Sequence, residues 1–199
     1  MEFQRAISDL AEVRDRLAHL QRFEGYSGPA AAASGVVALV AGCVQFWLAP
    51  MPRDPAAFHA YVVIWITCLA VALVLNYGTV AAWALKNRGP GAQSQFRSAA
   101  RSIAPSVVLG GALSLALVEH SAFGLLPGTW FAVYAVGLFA SRGVIPESTL
   151  GVTLAFSALA LLFLVTPLAP LALAWWVMPI GFGFGQIAIG FLIWQGRAS

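Results

Sequence analysis

Long apolar runs constrain this chain more than any other feature of its sequence. An α-helix needs about 20 predominantly apolar residues to cross a hydrocarbon core about 30 Å thick. Six runs approach or exceed that length, and they predict six transmembrane helices. These runs cover residues 30–49, 58–85, 103–126, 128–140, 150–165 and 171–194.

The composition agrees with a membrane-embedded chain. Hydrophobic residues make up 60% of the 199 residues and charged residues 10%, whereas a soluble domain typically carries about 25% charged residues. So few charges cannot cover a water-facing surface, and the surplus apolar side chains must face lipid. The sequence therefore predicts an all-α polytopic membrane protein. A cytoplasmic amphipathic helix and linker occupy residues 1–28, and a six-helix transmembrane bundle occupies residues 29–199.

The distribution of Lys and Arg predicts the orientation of the bundle, since cytoplasmic loops carry an excess of these residues. If the six runs alternate across the membrane, ten of the eleven Lys and Arg residues fall on the side that holds both termini. Arg53 alone falls on the other side. Both termini are therefore expected in the cytoplasm, with the bundle in a bacterial inner membrane. Aromatic residues are expected to form a belt at the outer boundary: Trp47, Phe58, Tyr61, Trp130, Trp175 and Trp176.

The segment before the first apolar run differs in kind. Apolar residues recur at heptad positions among charged neighbours, which is typical of an amphipathic helix of about three heptads. The apolar positions include Phe3, Leu10, Val13, Leu17 and Leu20. Three interpretations stay open for this helix: it lies on the cytoplasmic ends of the bundle, it forms a homodimeric coiled coil, or residues 1–24 bind a cytoplasmic protein.

Ionisable residues at the end of the third run form one candidate site. Glu119 lies roughly 24 Å along the helix from residue 103, at about 1.5 Å per residue, so that Glu119 and His120 come near the outer surface. His59 begins the second run at a similar level. Ionisable residues in a membrane are commonly functional, and these three side chains are candidates for a shared proton or small-ligand site. The alternative is that they simply reach water, because neighbours on a helix point about 100° apart.

A second candidate site lies deeper in the predicted bundle. Gln186 is a polar residue near the middle of the sixth run, and such a side chain must bond within the protein or line a cavity. Asn76 and Tyr77 lie at a similar depth on the second run and are its expected partners. Gly181 and Gly185 are four residues apart, a spacing that permits close approach of two helices.

The sequence lacks the motifs of several function classes. It contains no nucleophile elbow, zinc-protease helix, dinucleotide-binding loop or pair of catalytic carboxylates, so no catalytic residue, metal site or cofactor is predicted. The positive charges lie at membrane boundaries, and direct binding of nucleic acid is not expected. Cys43 and Cys68 lie within apolar runs and are interpreted as small buried hydrophobic residues.

Three stretches carry a resemblance to known proteins: FEGYSGPAAAASG at residues 23–35, APSVVLGG at 104–111 and GFGFGQIAIG at 181–190. In these stretches the chain resembles an uncharacterised family of small bacterial six-helix inner-membrane proteins that begin with an amphipathic helix. Genes of that family often neighbour a winged-helix transcription regulator, so the resemblance implies a regulatory association. Its members carry a His where this chain has Gln186.

These features lead to two functional hypotheses. The first is a non-enzymatic sensory or regulatory membrane protein that binds a small or lipophilic ligand. Its N-terminal helix would associate with a second copy or with a cytoplasmic partner. The alternative is a small transporter or channel with a polar path through Asn76, Tyr77 and Gln186.

Overall fold

The computed structural model describes residues 27–86, 90–142, 145–166, 168 and 171–198. Over these residues the chain is helical without strands, which confirms the predicted all-helical class. The α-helices are α1 (Gly28–Leu48), α2 (Pro55–Lys86), α3 (Pro90–Glu119), α4 (Leu126–Ala140), α5 (Leu150–Val165) and α6 (Phe184–Ala198). The predicted amphipathic helix, with Phe3, Leu10, Val13, Leu17 and Leu20, lies outside the described residues.

Four stretches of the described chain are long and apolar enough to cross a membrane: Gly28–Leu48, Pro55–Trp83, Phe123–Ala140 and Glu147–Val165. They coincide with the first, second, fourth and fifth predicted runs. Ala104–Glu119, in the third run, is a shorter apolar helix. The structure thus provides four candidate membrane-spanning helices, while six spans and the orientation of the termini stay predictions.

The third predicted run extends too far, because its helix ends at Glu119 rather than at residue 126. Ser121 adopts a positive φ of 56°. Its backbone N–H donates to the Val118 carbonyl at 3.1 Å, and the Ala122 N–H donates to the Leu117 carbonyl at 2.8 Å. This pair of bonds is a Schellman motif, which satisfies the last carbonyls of a helix and turns the chain away from its axis.

The sixth predicted run is not one continuous α-helix. Its first residues form a 3₁₀ turn (Leu171–Leu173), and a π-helical segment (Pro179–Gly183) precedes α6. Proline cannot donate a backbone hydrogen bond to the preceding turn, and the π-helical segment begins at Pro179. Single-turn π segments within helices are rare and often lie near functional sites.

Small residues bring α1 and α6 close together. Gly28, Gly35 and Gly42 recur every seven residues and lie on one face of α1, since seven residues make about two helical turns. A Cβ added to Gly28 would lie 2.6 Å from the Gly190 carbonyl oxygen, and one added to Gly35 would lie 2.6 Å from the Gly183 carbonyl oxygen. Gly42 packs directly against the Pro179 ring. We call these six residues the glycine seam: Gly28, Gly35, Gly42, Pro179, Gly183 and Gly190.

The outer surface of the bundle carries many large apolar side chains. Val40, Val74 and Leu161 are among many large apolar side chains that are more than half exposed, as expected of helices that face lipid. Cys68 is buried as predicted, but Cys43 is exposed, because the buried face of α1 is the one that carries the glycine seam.

Candidate functional site

Glu119 and His120 lie at the C-terminal end of α3 and both are exposed. His120 Nδ1 is 2.8 Å from the Ala116 carbonyl oxygen, which also accepts a hydrogen bond from the backbone N–H of His120 at 3.1 Å. The His120 ring therefore lies against the last turn of its own helix. His59 is exposed near the start of α2. In the described part of the chain, no three His, Cys, Asp or Glu side chains lie close enough together to hold a metal ion.

Gln186 makes its hydrogen bond to a residue that the sequence did not indicate. Its Nε2 donates to the Tyr134 hydroxyl on α4, at 2.7 Å. Asn76, one of the two expected partners, donates to the Ala72 carbonyl of its own helix at 2.9 Å. Tyr77 lies next to it on α2 and is partly buried. The structure therefore pairs α6 with α4 through Gln186, and Asn76 is bonded within α2.

Tyr134 belongs to a cluster of aromatic rings in the centre of the bundle. Its ring lies 4.7 Å from Phe156 and 5.3 Å from Phe182, edge to face in both pairs. Phe131 stacks on Phe182 at 5.1 Å and also contacts Phe163. Such pairs contribute about 0.5–1.5 kcal/mol beyond the area that they bury. The cluster joins α4 and α5 to the π-helical segment.

Gly181 and Gly185 make room for this cluster rather than for a neighbouring backbone. The Phe131 ring lies against Gly181, and a Cβ on Gly185 would be 2.7 Å from the Phe156 ring. The two glycines, four residues apart, thus lie against two aromatic side chains. The backbone approach between helices takes place at Gly183 and Gly190 instead.

An open groove runs along the surface between α5 and α6. Its volume is about 610 Å³, and all twelve residues that line it are apolar. On α5 the small residues Gly151, Ala155 and Ala158 line it, and Leu162 lies at its far end. Gly181 and Gly185 belong to its opposite wall together with Phe184 and Ala188. The side chain of Phe156, which also packs in the aromatic cluster, links this groove to the core.

A polar cluster occupies the end of the bundle where the α1–α2 turn lies. Gln45 is fully buried. Its Nε2 donates to the Leu173 carbonyl at 2.8 Å and to the Ala49 carbonyl at 3.3 Å, while its Oε1 accepts from Trp65 Nε1 at 2.8 Å. One side chain of α1 thereby ties α2 and the segment before α6 together. The Trp175 N–H strengthens the same junction by donating to the Pro50 carbonyl at 3.0 Å.

The cluster continues toward α3 and α4. Trp130 Nε1 donates to the Ser114 hydroxyl at 2.7 Å, and that hydroxyl donates to the Gly110 carbonyl at 2.6 Å. The Trp130 ring lies parallel to the Tyr61 ring with centroids 6.0 Å apart. The prediction that Tyr61 belongs to an interfacial belt is wrong, because its side chain is fully buried. It lies one helical turn from Trp65, on the face of α2 that packs into the bundle.

Sequence reasoning missed Gln45, Trp65 and Tyr134 as parts of buried polar contacts. Gln45 is the one amide side chain in the first run, and a lone amide is the signal that applied equally to Gln186. Trp65 and Tyr134 gave no such signal, because aromatic residues with one polar atom are common in membrane helices.

The fold and these contacts define a class: an all-helical protein whose described part holds four helices able to cross a membrane. Compared with known proteins, the chain matches no family model, no curated protein and no solved structure.

Proposed function

We propose that the protein is a non-enzymatic multi-pass membrane protein that binds a lipophilic molecule and signals its presence through the N-terminal segment. The observation that carries this proposal is the apolar groove between α5 and α6. Its volume of about 610 Å³ lies within the about 300–1,000 Å³ that is usual for small-molecule sites.

The shape of the groove favours a long hydrocarbon chain. Gly151 and Leu162 are eleven residues apart on α5, which is about 17 Å at 1.5 Å per residue. One leaflet contributes half of a hydrocarbon core about 30 Å thick. A groove of this length, aligned with its helix and lined by apolar residues, suits a single acyl chain that enters sideways from one leaflet.

A route from the groove to the N-terminal segment supports the signalling part of the proposal. Gly181 and Gly185 border the groove, and the same stretch of chain contacts α1 through the glycine seam. The last contact of that seam joins Gly190 to Gly28, which closely follows residues 1–24 in the sequence. A shift of α6 on ligand binding would therefore act directly on the start of α1. Residues 1–24 would pass the change on by associating with a second copy or with a cytoplasmic partner.

The proposal includes six membrane spans with both termini in the cytoplasm of a bacterium. Four helices are candidates by length and composition. The third and sixth spans rest on Ala104–Glu119 and on the π-helical segment with α6. The excess of Lys and Arg on the side of the termini supports this orientation.

The groove is tested by photo-crosslinking of the full chain in lipid nanodiscs with a long-chain fatty acid that carries a diazirine. Wild type is expected to be labelled on α5 and α6 within the groove. Ala158→Trp fills the groove and should reduce this labelling at least about tenfold, which corresponds to about 1.4 kcal/mol of binding free energy. Leu154→Trp is the matched control, because Leu154 is exposed on the same helix outside the groove. Equal labelling of both variants contradicts the proposal.

Deletion of residues 1–24 separates this function from the alternative. A protein that signals through its N-terminal segment keeps its groove labelling after the deletion and loses its association with a second copy or partner. A transporter with a path through Asn76, Tyr77 and Gln186 keeps its flux into liposomes, and that flux falls when Gln186 is replaced by Leu.

A further inference from the structure

The hydroxyl group of Tyr61 is an exception among the buried polar groups at the Pro50 end of the bundle. The side chain is fully buried, and its oxygen has no hydrogen-bond partner in the part of the chain that the structure describes. The other four side chains of the polar cluster all make hydrogen bonds: Gln45, Trp65, Ser114 and Trp130. A buried hydroxyl that stays unpaired lowers stability, and phenylalanine would fill the same volume without that cost.

Two acceptor positions and one donor remain unused in the described part of this cluster. Gln45 uses both of its N–H donors on carbonyl groups, and its Oε1 accepts one bond from Trp65. Ser114 uses its single O–H donor on Gly110 and accepts one bond from Trp130. An amide oxygen and a hydroxyl oxygen each have two lone pairs. One lone pair is therefore left on Gln45 Oε1 and one on Ser114 Oγ, while the one donor left in the cluster is the Tyr61 O–H.

Tyr61 neighbours the two tryptophans that bind these acceptors. Trp65, which binds Gln45, lies four residues further along α2 and on the same face. Trp130, which binds Ser114, stacks parallel to the Tyr61 ring at 6.0 Å. Tyr61 thus adjoins both halves of the cluster while bonding to neither.

From this inventory we infer that Tyr61 anchors a binding site for a small neutral molecule with a hydroxyl group, either water or a small alcohol. The guest accepts a hydrogen bond from the Tyr61 O–H and donates one to Gln45 Oε1 or to Ser114 Oγ. A guest that only accepts would leave the spare lone pairs unused. The five side chains of the cluster carry no charge, and a charged guest would lack a counter-charge in a buried site. Buried waters with two to four polar partners are a normal part of protein interiors.

The first test compares the thermal unfolding of two variants of the full chain in detergent. Tyr61→Phe should lower the Tm by about 2–4 °C, the shift expected for one lost hydrogen bond in a chain of this length. Tyr134→Phe is the matched control, because its hydroxyl bonds to Gln186 and its loss should also lower the Tm. If the Tyr61 hydroxyl is unpaired, Tyr61→Phe will instead leave the Tm unchanged or raise it, and the proposal fails.

The second test is a high-resolution structure of the full wild-type chain, prepared in buffer without alcohols and again with added ethanol. Density within hydrogen-bond distance of Tyr61 Oη in both preparations identifies the guest as water. Density only in the preparation with ethanol identifies it as an alcohol. A map that resolves the Tyr61 hydroxyl and shows no such density in either preparation overturns the proposal.

Discussion

Gly28 and Gly190 face each other across the contact between α1 and α6, and a Cβ on either residue would lie 2.6 Å from the carbonyl oxygen of the other. Real Cβ atoms do not approach other atoms so closely, so neither residue can be replaced without separating the helices. A Cβ on Gly35 would likewise lie 2.6 Å from the Gly183 carbonyl oxygen, so α1 also closely approaches the π-helical segment that precedes α6. In the proposed function, this contact would transmit a movement of α6 to α1.

The first prediction concerns this contact. Gly190→Ala should destabilise the protein by about 1–3 kcal/mol, the usual cost of overpacking, even though alanine alone favours a helix by about 1 kcal/mol. Gly111→Ala is the control, because nothing lies within 4 Å of the Cβ position at Gly111, and it should be neutral or stabilising. Thermal unfolding in detergent, followed by tryptophan fluorescence, measures both. A Gly190→Ala variant as stable as Gly111→Ala would show that α1 and α6 are further apart.

The second prediction concerns Gln45. Gln45→Leu leaves the Trp65 N–H and the Leu173 carbonyl without their partner, and each unpaired buried group costs about 1–3 kcal/mol. The loss of stability should exceed that of Trp65→Phe, which removes one of these bonds. Ser157→Ala serves as a control, since its hydroxyl bonds to the Thr153 carbonyl one turn earlier on the same helix. Similar unfolding temperatures for Gln45→Leu and Ser157→Ala would refute the role assigned to Gln45.

The third prediction concerns the bond between Gln186 and Tyr134. In a double-mutant cycle of Gln186→Leu and Tyr134→Phe, the double variant should be more stable than the sum of the single losses implies, because each single variant leaves one polar group unpaired. Interhelical hydrogen bonds in membranes contribute about 0.6 kcal/mol on average and at most about 1.7 kcal/mol. The free energies of unfolding of the four proteins give the coupling, and additive losses would mean that the bond does not form.

The fourth prediction concerns the turn after α3. Ser121 holds a positive φ of 56°, a conformation that disfavours side chains with a Cβ by about 1–2 kcal/mol. Ser121→Gly should therefore raise the Tm, and Ser121→Val should lower it, because β-branched residues tolerate this region least. If valine is accepted at this position without loss, α3 does not end in a Schellman motif.

The fifth prediction concerns orientation. In a chain whose Cys43 and Cys68 are replaced by Ala, a cysteine at position 54 should react with a membrane-impermeant maleimide in intact cells. A cysteine at position 148 should react only after the inner membrane is opened. Asp54 and Ser148 are both exposed in the structure, so equal access to reagent is expected once the membrane is breached. The reverse pattern would contradict the orientation predicted from Lys and Arg.

Much of the helical layout was predictable from the sequence. The apolar runs at residues 30–49 and 150–165 are recognisable in the sequence, because a helix that crosses a membrane requires a long apolar stretch. Helix ends were less predictable. The end of α3 includes a serine in a left-handed conformation, and the π-helical segment begins at Pro179, whose ring packs against Gly42.

The hydrogen-bond partners in the candidate sites could not be predicted from the sequence. It found Gln186 because a lone amide in an apolar run must have a partner, but it chose Asn76 and Tyr77 by depth alone. The partner is Tyr134, on a helix whose rotation about its axis no single sequence reveals. Tyr61 looked like an interfacial residue because of its distance from the helix end, and it is buried because its face of α2 turns inward.

By itself, the sequence determined the class of this protein, since the number and length of apolar runs decide whether a chain dissolves in lipid or in water. Which side chains meet was decided only by the tertiary structure. The glycine seam, the groove between α5 and α6, and the cluster around Gln45 each combine residues from distant parts of the chain. Local sequence sets how a helix forms, but the faces that pack together depend on contacts between helices, and these exist only once the chain is folded.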